Sequence, residues 1–264
     1  MSIATQGEAV EQSRRLSLDE QAAASVDALQ APQDWIQEKT GDYLPLEAVF
    51  ADDQGRKVRL RRLIDRPTLL LPVYYTCPSI CSFDLANLAD TIRRLHYNGG
   101  NGFRVLTLSF NTDDTPEIAR MTKPNYTHLL KESFPEERWT FLTGSEENIL
   151  RVTNAIGYRF QRKSDGIFIH PSALVAVDRN GQIIKYIYGS FIPGDVELAL
   201  KDAAEGRPAT SIRRLLAFCF PANPRQNAVV FNILKIASVA VLVGGGIWLA
   251  RLLRKKNPPQ FPSS

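Results

Sequence analysis

The sequence predicts an α/β fold in which short apolar strands alternate with helices, followed by a hydrophobic segment near the C-terminus. Two observations support this prediction. Apolar runs of strand length, such as 67–74 and 103–110, are each followed by a loop and a segment that begins a helix. A much longer apolar run, 228–250, lies beyond a proline-containing linker. The 264 residues therefore fit one globular domain with appendages.

The globular domain begins with a hairpin and then alternates strands with helices. Asp52-Asp53-Gln54-Gly55 is a hairpin turn signal, Thr115-Pro116 and Ser145 start helices, and Asn180-Gly181 lies in a second hairpin turn. The predicted elements are, in order, strands at 46–50, 58–60 and 67–74, a helix at 83–95, a strand at 103–110, a helix from 116, a strand at 139–142, a helix at 145–155, strands at 174–177 and 183–188, and a helix at 196–204. This order is typical of a thioredoxin-like fold.

Two cysteines directly follow the strand at 67–74, in the segment Cys77-Pro78-Ser79-Ile80-Cys81. Cys77 has the position of a helix N-cap and Pro78 that of the first helical residue, so both sulfurs are expected on one face of the first turn. The unpaired N–H groups and the helix dipole favour thiolate over thiol. Such a pair can bind a soft metal or exchange electrons, and the alternative is two small buried hydrophobic residues.

Composition limits the other candidate sites and functions. The net charge is +4 and basic residues are interspersed with acidic ones, which does not indicate nucleic-acid binding. Three cysteines are too few for a disulfide scaffold.

Of the three histidines, His96 and His128 have the pattern of surface or core residues. His170 precedes a strand in a loop expected beside the cysteine helix. Its spacing alone favours a structural histidine, and a metal ligand is the alternative.

At these residues the chain resembles the Sco/SenC family. The resemblance covers about 41–204 and rests on the Cys77–Cys81 spacing, the segments Asp114-Thr115-Pro116-Glu117 and Trp139-Thr-Phe-Leu-Thr-Gly-Ser145, and His170 ahead of the Gly181 hairpin. Members of that family are membrane-tethered, thioredoxin-like copper proteins that help to assemble the copper centre of cytochrome c oxidase. The resemblance implies that Cys77, Cys81 and His170 ligate copper. It implies as partner the copper-bearing subunit of cytochrome c oxidase or another copper chaperone.

Two functions from different classes are compatible with these residues. The leading hypothesis is a copper metallochaperone, from which a client with better-placed thiolates takes the ion by ligand exchange. Oxidation to a Cys77–Cys81 disulfide would abolish ligation and couple copper loading to redox conditions. The alternative is an enzyme, a membrane-tethered thiol–disulfide oxidoreductase for which His170 is incidental. A thiol peroxidase ranks last, because no arginine can be assigned beside a peroxide at these cysteines. A redox or copper sensor that signals through Cys219 and the membrane helix stays a further alternative, although Cys219 is most simply an isolated cysteine near the membrane.

A membrane-spanning helix is predicted at 228–250, because at about 1.5 Å per residue this apolar run crosses a hydrocarbon core of about 30 Å. The cations that follow favour a cytoplasmic C-terminus, which places the soluble domain on the periplasmic side of a bacterial cytoplasmic membrane. The polar N-terminal residues contain no apolar signal-peptide core. The predicted organisation is a polar segment at 1–40, a thioredoxin-like domain at 41–207, a linker at 208–227, the span at 228–250 and a basic tail at 251–264.

Overall fold

A computed structural model describes residues 35–77, 80–97, 102–130, 134–164, 166–211, 238, 242–248 and 251. The chain divides into two compact units, Met1–Ser211 and Ile212–Ser264. The first unit has the mixed α/β fold that the sequence predicts. Its elements are β1 (Val49–Asp52), β2 (Lys57–Arg59), α1 (Leu60–Leu63), β3 (Thr68–Val73), α2 (Ile80–Arg94), β4 (Arg104–Ser109), α3 (Pro116–Thr122), α4 (Pro124–Thr127), a 3-10 turn (Glu136–Arg138), β5 (Trp139–Thr143), α5 (Glu146–Ala155), β6 (Gln161–Arg162), β7 (Phe168–Ile169), β8 (Ala173–Val177), β9 (Ile183–Tyr188) and α6 (Pro193–Ala204).

Seven of the strands form one sheet, in the order β2-β1-β5-β4-β3-β8-β9. The three central strands β3, β4 and β5 are parallel, whereas β8 pairs with β3 and β1 pairs with β5 in the antiparallel sense. Every residue of β3 is buried, because helices cover both faces of a sheet of this kind. A strand buried on both faces is a continuous apolar run, and this is why the Thr-Leu-Leu-Leu-Pro-Val segment has no polar alternation.

The predicted helix starts are confirmed where cap residues are present. The Thr115 hydroxyl accepts a hydrogen bond from the Ile118 N–H, with Pro116 in the first helical position of α3. The Ser145 hydroxyl accepts from the Asn148 N–H in the same way at α5. The predicted helical stripe at 83–95 falls on α2, which the structure gives as Ile80–Arg94. Residues 78–79 lie outside the described residues, so Pro78 as the first helical residue stays a prediction.

Short elements account for the differences from the sequence prediction. Helices α1 and α4 have four residues each, too few for a helical period to show. Strands β6 and β7 have two residues each and pair with one another as a separate small hairpin, with Arg162 opposite Phe168. This hairpin, absent from the sequence prediction, leads directly to His170.

The predicted membrane span at 228–250 falls largely outside the described residues. Within it, Ser238 and residues 242–248 are helical and exposed. Among the residues that the structure does describe, no helix is both long and apolar enough to cross a membrane.

Candidate metal centre

Cys77, Cys81 and His170 form one buried cluster. Cys77 follows the end of β3, Cys81 lies in the first turn of α2, and His170 follows β7. Their ligand atoms all lie within 4.8 Å of one another, and the three residues are 7%, 1% and 3% exposed. The structure therefore brings together the three side chains that the sequence singled out, although His170 is 89 residues from Cys81 in the chain. His96 and His128 are exposed, and Cys219 lies outside the described residues.

The pKa values of the two cysteines are shifted in opposite directions. Burial raises the pKa of the Cys81 thiol, whose sulfur also accepts the Tyr74 N–H at 3.5 Å. The pKa of Cys77 is held well below its usual range by hydrogen bonding to Cys81, and also to His170 and Tyr74, which together outweigh the effect of burial. Cys77 is therefore the thiolate of the pair. Thiolate is the form that binds metal and attacks disulfides.

Both nitrogens of the His170 ring have polar neighbours. Nε2 lies 3.1 Å from the Cys81 Sγ, and Nδ1 lies 3.1 Å from the Tyr158 hydroxyl. Aromatic rings enclose the imidazole on other sides, with the Phe110 and Tyr74 ring centres 5.1 and 5.8 Å from that of His170. The imidazole is therefore oriented edge-on toward the sulfurs and shielded from water elsewhere.

A buried carboxyl group lies on the cysteine helix close to the cluster. Asp84 is 2% exposed and follows Cys81 by three residues, which places both on one face of α2. The Ser172 hydroxyl donates to Asp84 Oδ1 at 2.8 Å. Burial raises the pKa of Asp84 to about 6, against the smaller opposing effects of Ser172 and His170. The cluster thus has a carboxyl group nearby that changes charge close to neutral pH.

A second buried carboxylate, Asp114, holds the segment before Cys77. It accepts the Tyr75 N–H at 2.6 Å and the Thr76 hydroxyl at 3.1 Å. The Ser109 hydroxyl donates to it at 2.5 Å from the end of the neighbouring strand β4. The strand-to-helix turn that carries Cys77 is therefore tied to the adjacent loop by charge-assisted hydrogen bonds.

Several residues of this site were not predicted from the sequence. Asp114 was part of a motif but had no assigned role, and nothing in the local sequence marks Tyr158. Asp84 was detectable, because a carboxyl group three residues from a cysteine on an apolar helix face is expected to be buried beside it. Ser172 lies two residues after His170, but its bond to α2 depends on tertiary packing.

Two sulfurs and one imidazole nitrogen are soft donors of the kind that copper prefers. The cluster fits such an ion for two reasons. Its three donor atoms lie within 4.8 Å of one another, and His170 has a polar partner at the ring nitrogen remote from the sulfurs. Three protein ligands also leave room for a ligand from another molecule. The arrangement is suited both to holding copper and to exchanging it.

Comparison with known proteins gives consistent matches. The SCO1/SenC family model matches residues 45–204. A SCO2-like protein of Rickettsia prowazekii (strain Madrid E) is 25% identical over 150 residues, which are 54% of this chain and 68% of the relative. A solved candidate electron transfer protein of Aquifex aeolicus VF5 is 27% identical with a TM-score of 0.56, covering 64% of this chain and 96% of its own.

Structural likeness extends to more distant proteins. ScoI of Arabidopsis thaliana, crystallised with copper bound, has 19% identity and a TM-score of 0.50 over 58% of this chain and 96% of its own. The mixed sheet and its helices match the thioredoxin-like fold of such Sco structures, as the sequence predicted.

Proposed function

The chain belongs to the SCO1/SenC family, and from this premise we propose that it is a copper-binding metallochaperone that aids assembly of the copper centre of cytochrome c oxidase. One observation carries the proposal: the ligand atoms of Cys77, Cys81 and His170 converge within 4.8 Å. Among the structural relatives, BsSco is a member of the Sco family of cytochrome c oxidase assembly proteins. The copper-bearing subunit of the oxidase, or another copper chaperone, is the corresponding partner.

Delivery of the ion follows from the chemistry of the three ligands. Cys77 is already a thiolate in the metal-free protein, and Cys81 loses its proton when copper binds. A client that offers better-placed thiolates takes over the ion one ligand at a time. Because Cys77 is 7% exposed and Cys81 only 1% exposed, exchange begins at Cys77.

An anaerobic Cu(I) titration of the reduced full-length protein against a competing chelator tests this proposal. We expect the wild type to bind a single copper ion. We expect Cys81→Ser and His170→Ala each to lower the copper affinity by more than about 100-fold, which exceeds the loss expected for a residue that only supports a ligand. His128→Ala is the matched control, because His128 is exposed and hydrogen-bonds to the Pro124 carbonyl instead. Full copper affinity in His170→Ala would overturn the three-ligand proposal.

A second candidate function is thiol–disulfide exchange, which the contrast between the two cysteines favours. The Cys77 thiolate attacks a client disulfide to form a mixed disulfide, and Cys81 resolves it to leave a Cys77–Cys81 disulfide and a client reduced by two electrons. The metal-free protein would then reduce a peptide disulfide, and Cys77→Ser would abolish this. A reductase does not need His170 as a ligand, and Cys81 makes the largest contribution to the low pKa of Cys77. His170→Ala is therefore expected to keep most of a reductase activity while it loses copper binding, which separates the two functions.

We also propose that the chain is anchored in a membrane by residues 228–250, with the cysteine domain on the periplasmic side of a bacterial cytoplasmic membrane. The apolar run and the cations that follow it support this topology. Full-length protein is expected to stay in the membrane after alkaline washing, and a chain ending at Ser211 to be released. Labelling of Cys77 in intact cells by a membrane-impermeant thiol reagent would report the orientation.

A further inference from the structure

Tyr158 is a buried residue that touches the cluster without belonging to it. It follows α5 and is 2% exposed. Its hydroxyl lies 2.7 Å from the Pro171 carbonyl oxygen and 3.1 Å from His170 Nδ1. The same carbonyl lies 3.2 Å from Nδ1, so the three atoms form a closed triangle on the side of the ring remote from the sulfurs.

The hydrogen atoms in this triangle can be placed by counting donors. The Tyr158 phenol carries a single hydrogen, as any tyrosine does at neutral pH. The Pro171 carbonyl can only accept. If the phenol gave its hydrogen to Nδ1, the carbonyl would face two unprotonated atoms at 2.7 and 3.2 Å without a donor, and a buried acceptor left in this way is costly. If instead the phenol donates to Pro171, Nδ1 carries the hydrogen and every atom is satisfied.

We propose that Tyr158 is a positioning residue, which keeps its own hydrogen on Pro171 and accepts the Nδ1–H of His170, so that Nε2 is the ring nitrogen turned toward Cys81 Sγ. The copper-related part of this inference rests on the proposed function. Imidazole binds metal through one ring nitrogen, and a hydrogen bond from the other nitrogen fixes the ring plane. The ring of His170 is thus oriented to present Nε2, and not Nδ1, to a metal.

The backbone around Tyr158 supports such a role. Its N–H donates to the Thr153 carbonyl at 2.8 Å, where α5 ends, and Ile36 forms a bridge with it on the other side. The ring centre of Phe110 lies 5.9 Å from that of Tyr158 and 5.1 Å from that of His170, so one phenylalanine packs against both. The phenol is therefore held in place independently of His170.

The tautomer can be measured without metal, by NMR of full-length reduced protein labelled with 15N in its histidines. We expect the His170 Nδ1 of the wild type to have the chemical shift of a protonated ring nitrogen. In Tyr158→Phe, the one acceptor left for the Nδ1–H among the described residues is the Pro171 carbonyl, at 3.2 Å, so a tautomer with unprotonated Nδ1 should appear. A wild-type His170 protonated at Nε2 alone would overturn the inference.

Copper titration of the same variants provides the second readout. We expect Tyr158→Phe to lower Cu(I) affinity about tenfold, at the lower end of the range for residues that orient a ligand, since Pro171 still supports the ring. Tyr186→Phe is the matched control: it is also 2% exposed, but its hydroxyl donates to the Ile156 carbonyl at 2.9 Å. Equal tautomer populations and equal copper affinity in the two variants would overturn the inference. A wild type that binds no copper would refute the proposed function, whereas the tautomer result would stand.

Discussion

The carboxylate of Asp114 accepts a 2.6 Å hydrogen bond from the backbone N–H of Tyr75, two residues before Cys77. Both residues are buried, and the same carboxylate oxygen accepts the Ser109 hydroxyl. The other oxygen accepts the Thr76 hydroxyl. The Asp114 side chain therefore joins the loops that follow the parallel strands β3 and β4.

Replacement of Asp114 by Asn tests this junction. The substitution keeps the volume but turns one accepting oxygen into an NH2 group that faces buried donors. We expect a loss of about 2 kcal/mol in the free energy of unfolding, as for a buried donor left unsatisfied, measured by chemical denaturation. Asp113→Asn is the control, because Asp113 is exposed and forms a surface ion pair with Arg162, worth less than about 1 kcal/mol. Equal stability of the two variants would contradict the role of Asp114.

The pKa of Cys77 predicts an unusual alkylation profile. Because Cys77 is already a thiolate below neutral pH, its reaction rate should stay nearly constant between about pH 6 and 8. Over the same range the rate of an ordinary thiol rises about tenfold for each pH unit. Iodoacetamide labelling of reduced, metal-free Cys219→Ser protein, followed by mass spectrometry, measures this. Cys81 is the internal control, since burial raises its pKa and should keep it unlabelled. A tenfold rise per pH unit at Cys77 would count against the assignment.

Asp84 predicts a pH dependence of stability. Its pKa is raised from 3.8 to about 6 in the folded protein, so the folded state holds the proton more tightly than the unfolded state. The resulting stabilisation is fully present below the unfolded pKa and is lost as the pH rises through the folded pKa. We expect the free energy of unfolding of Asp84→Asn to rise by about 2–3 kcal/mol relative to that of the wild type as the pH goes from 4 to 7. Denaturation curves of the metal-free protein across this range measure the gain.

Asp90, on the same helix, should have the opposite effect on the pH dependence of stability. Hydrogen bonds from Arg93 and Arg94 lower its pKa. The stabilisation by Asp90 is therefore present above the unfolded pKa and lost as the pH falls. The free energy of unfolding of Asp90→Asn should accordingly decrease relative to that of the wild type as the pH rises. The same trend in both variants would show that the Asp84 effect is not a property of that carboxyl group.

Gly157, which precedes Tyr158, is predicted to be intolerant of a side chain. Its φ is +60°, and a Cβ there would lie 1.8 Å from the Gln37 carbonyl oxygen. Gly189 has a similar φ of +64°, but a Cβ there would meet no described atom within 4 Å. We expect Gly189→Ala to cost about 1 kcal/mol from backbone strain alone and Gly157→Ala more than about 3 kcal/mol. Similar melting temperatures for the two variants would contradict the close approach of Gln37.

The parts of this structure that local chemistry determines were predictable. The apolar run of β3, the Thr115 cap and the Cys77–Cys81 spacing each depend on a few neighbouring residues. The loop position of His170 was expected from the fold, but its role as a ligand depended on a family resemblance, because no local pattern brings it 3.1 Å from Cys81 across 89 residues. Tyr158 was not predicted, since its role arises from packing between distant segments. The β6–β7 hairpin was not predicted because its strands of two residues are too short to show a pattern. Asp114 shows the same limit, because its donors come from two loops.

X-ray absorption spectroscopy of the copper-loaded, full-length protein would count the ligands of the ion. We expect two sulfur ligands and one imidazole nitrogen in the wild type, with the nitrogen contribution lost in His170→Ala and retained in His128→Ala. A wild type with sulfur ligands alone, unchanged by His170→Ala, would refute the three-ligand site and leave only the cysteine pair as the metal-binding element.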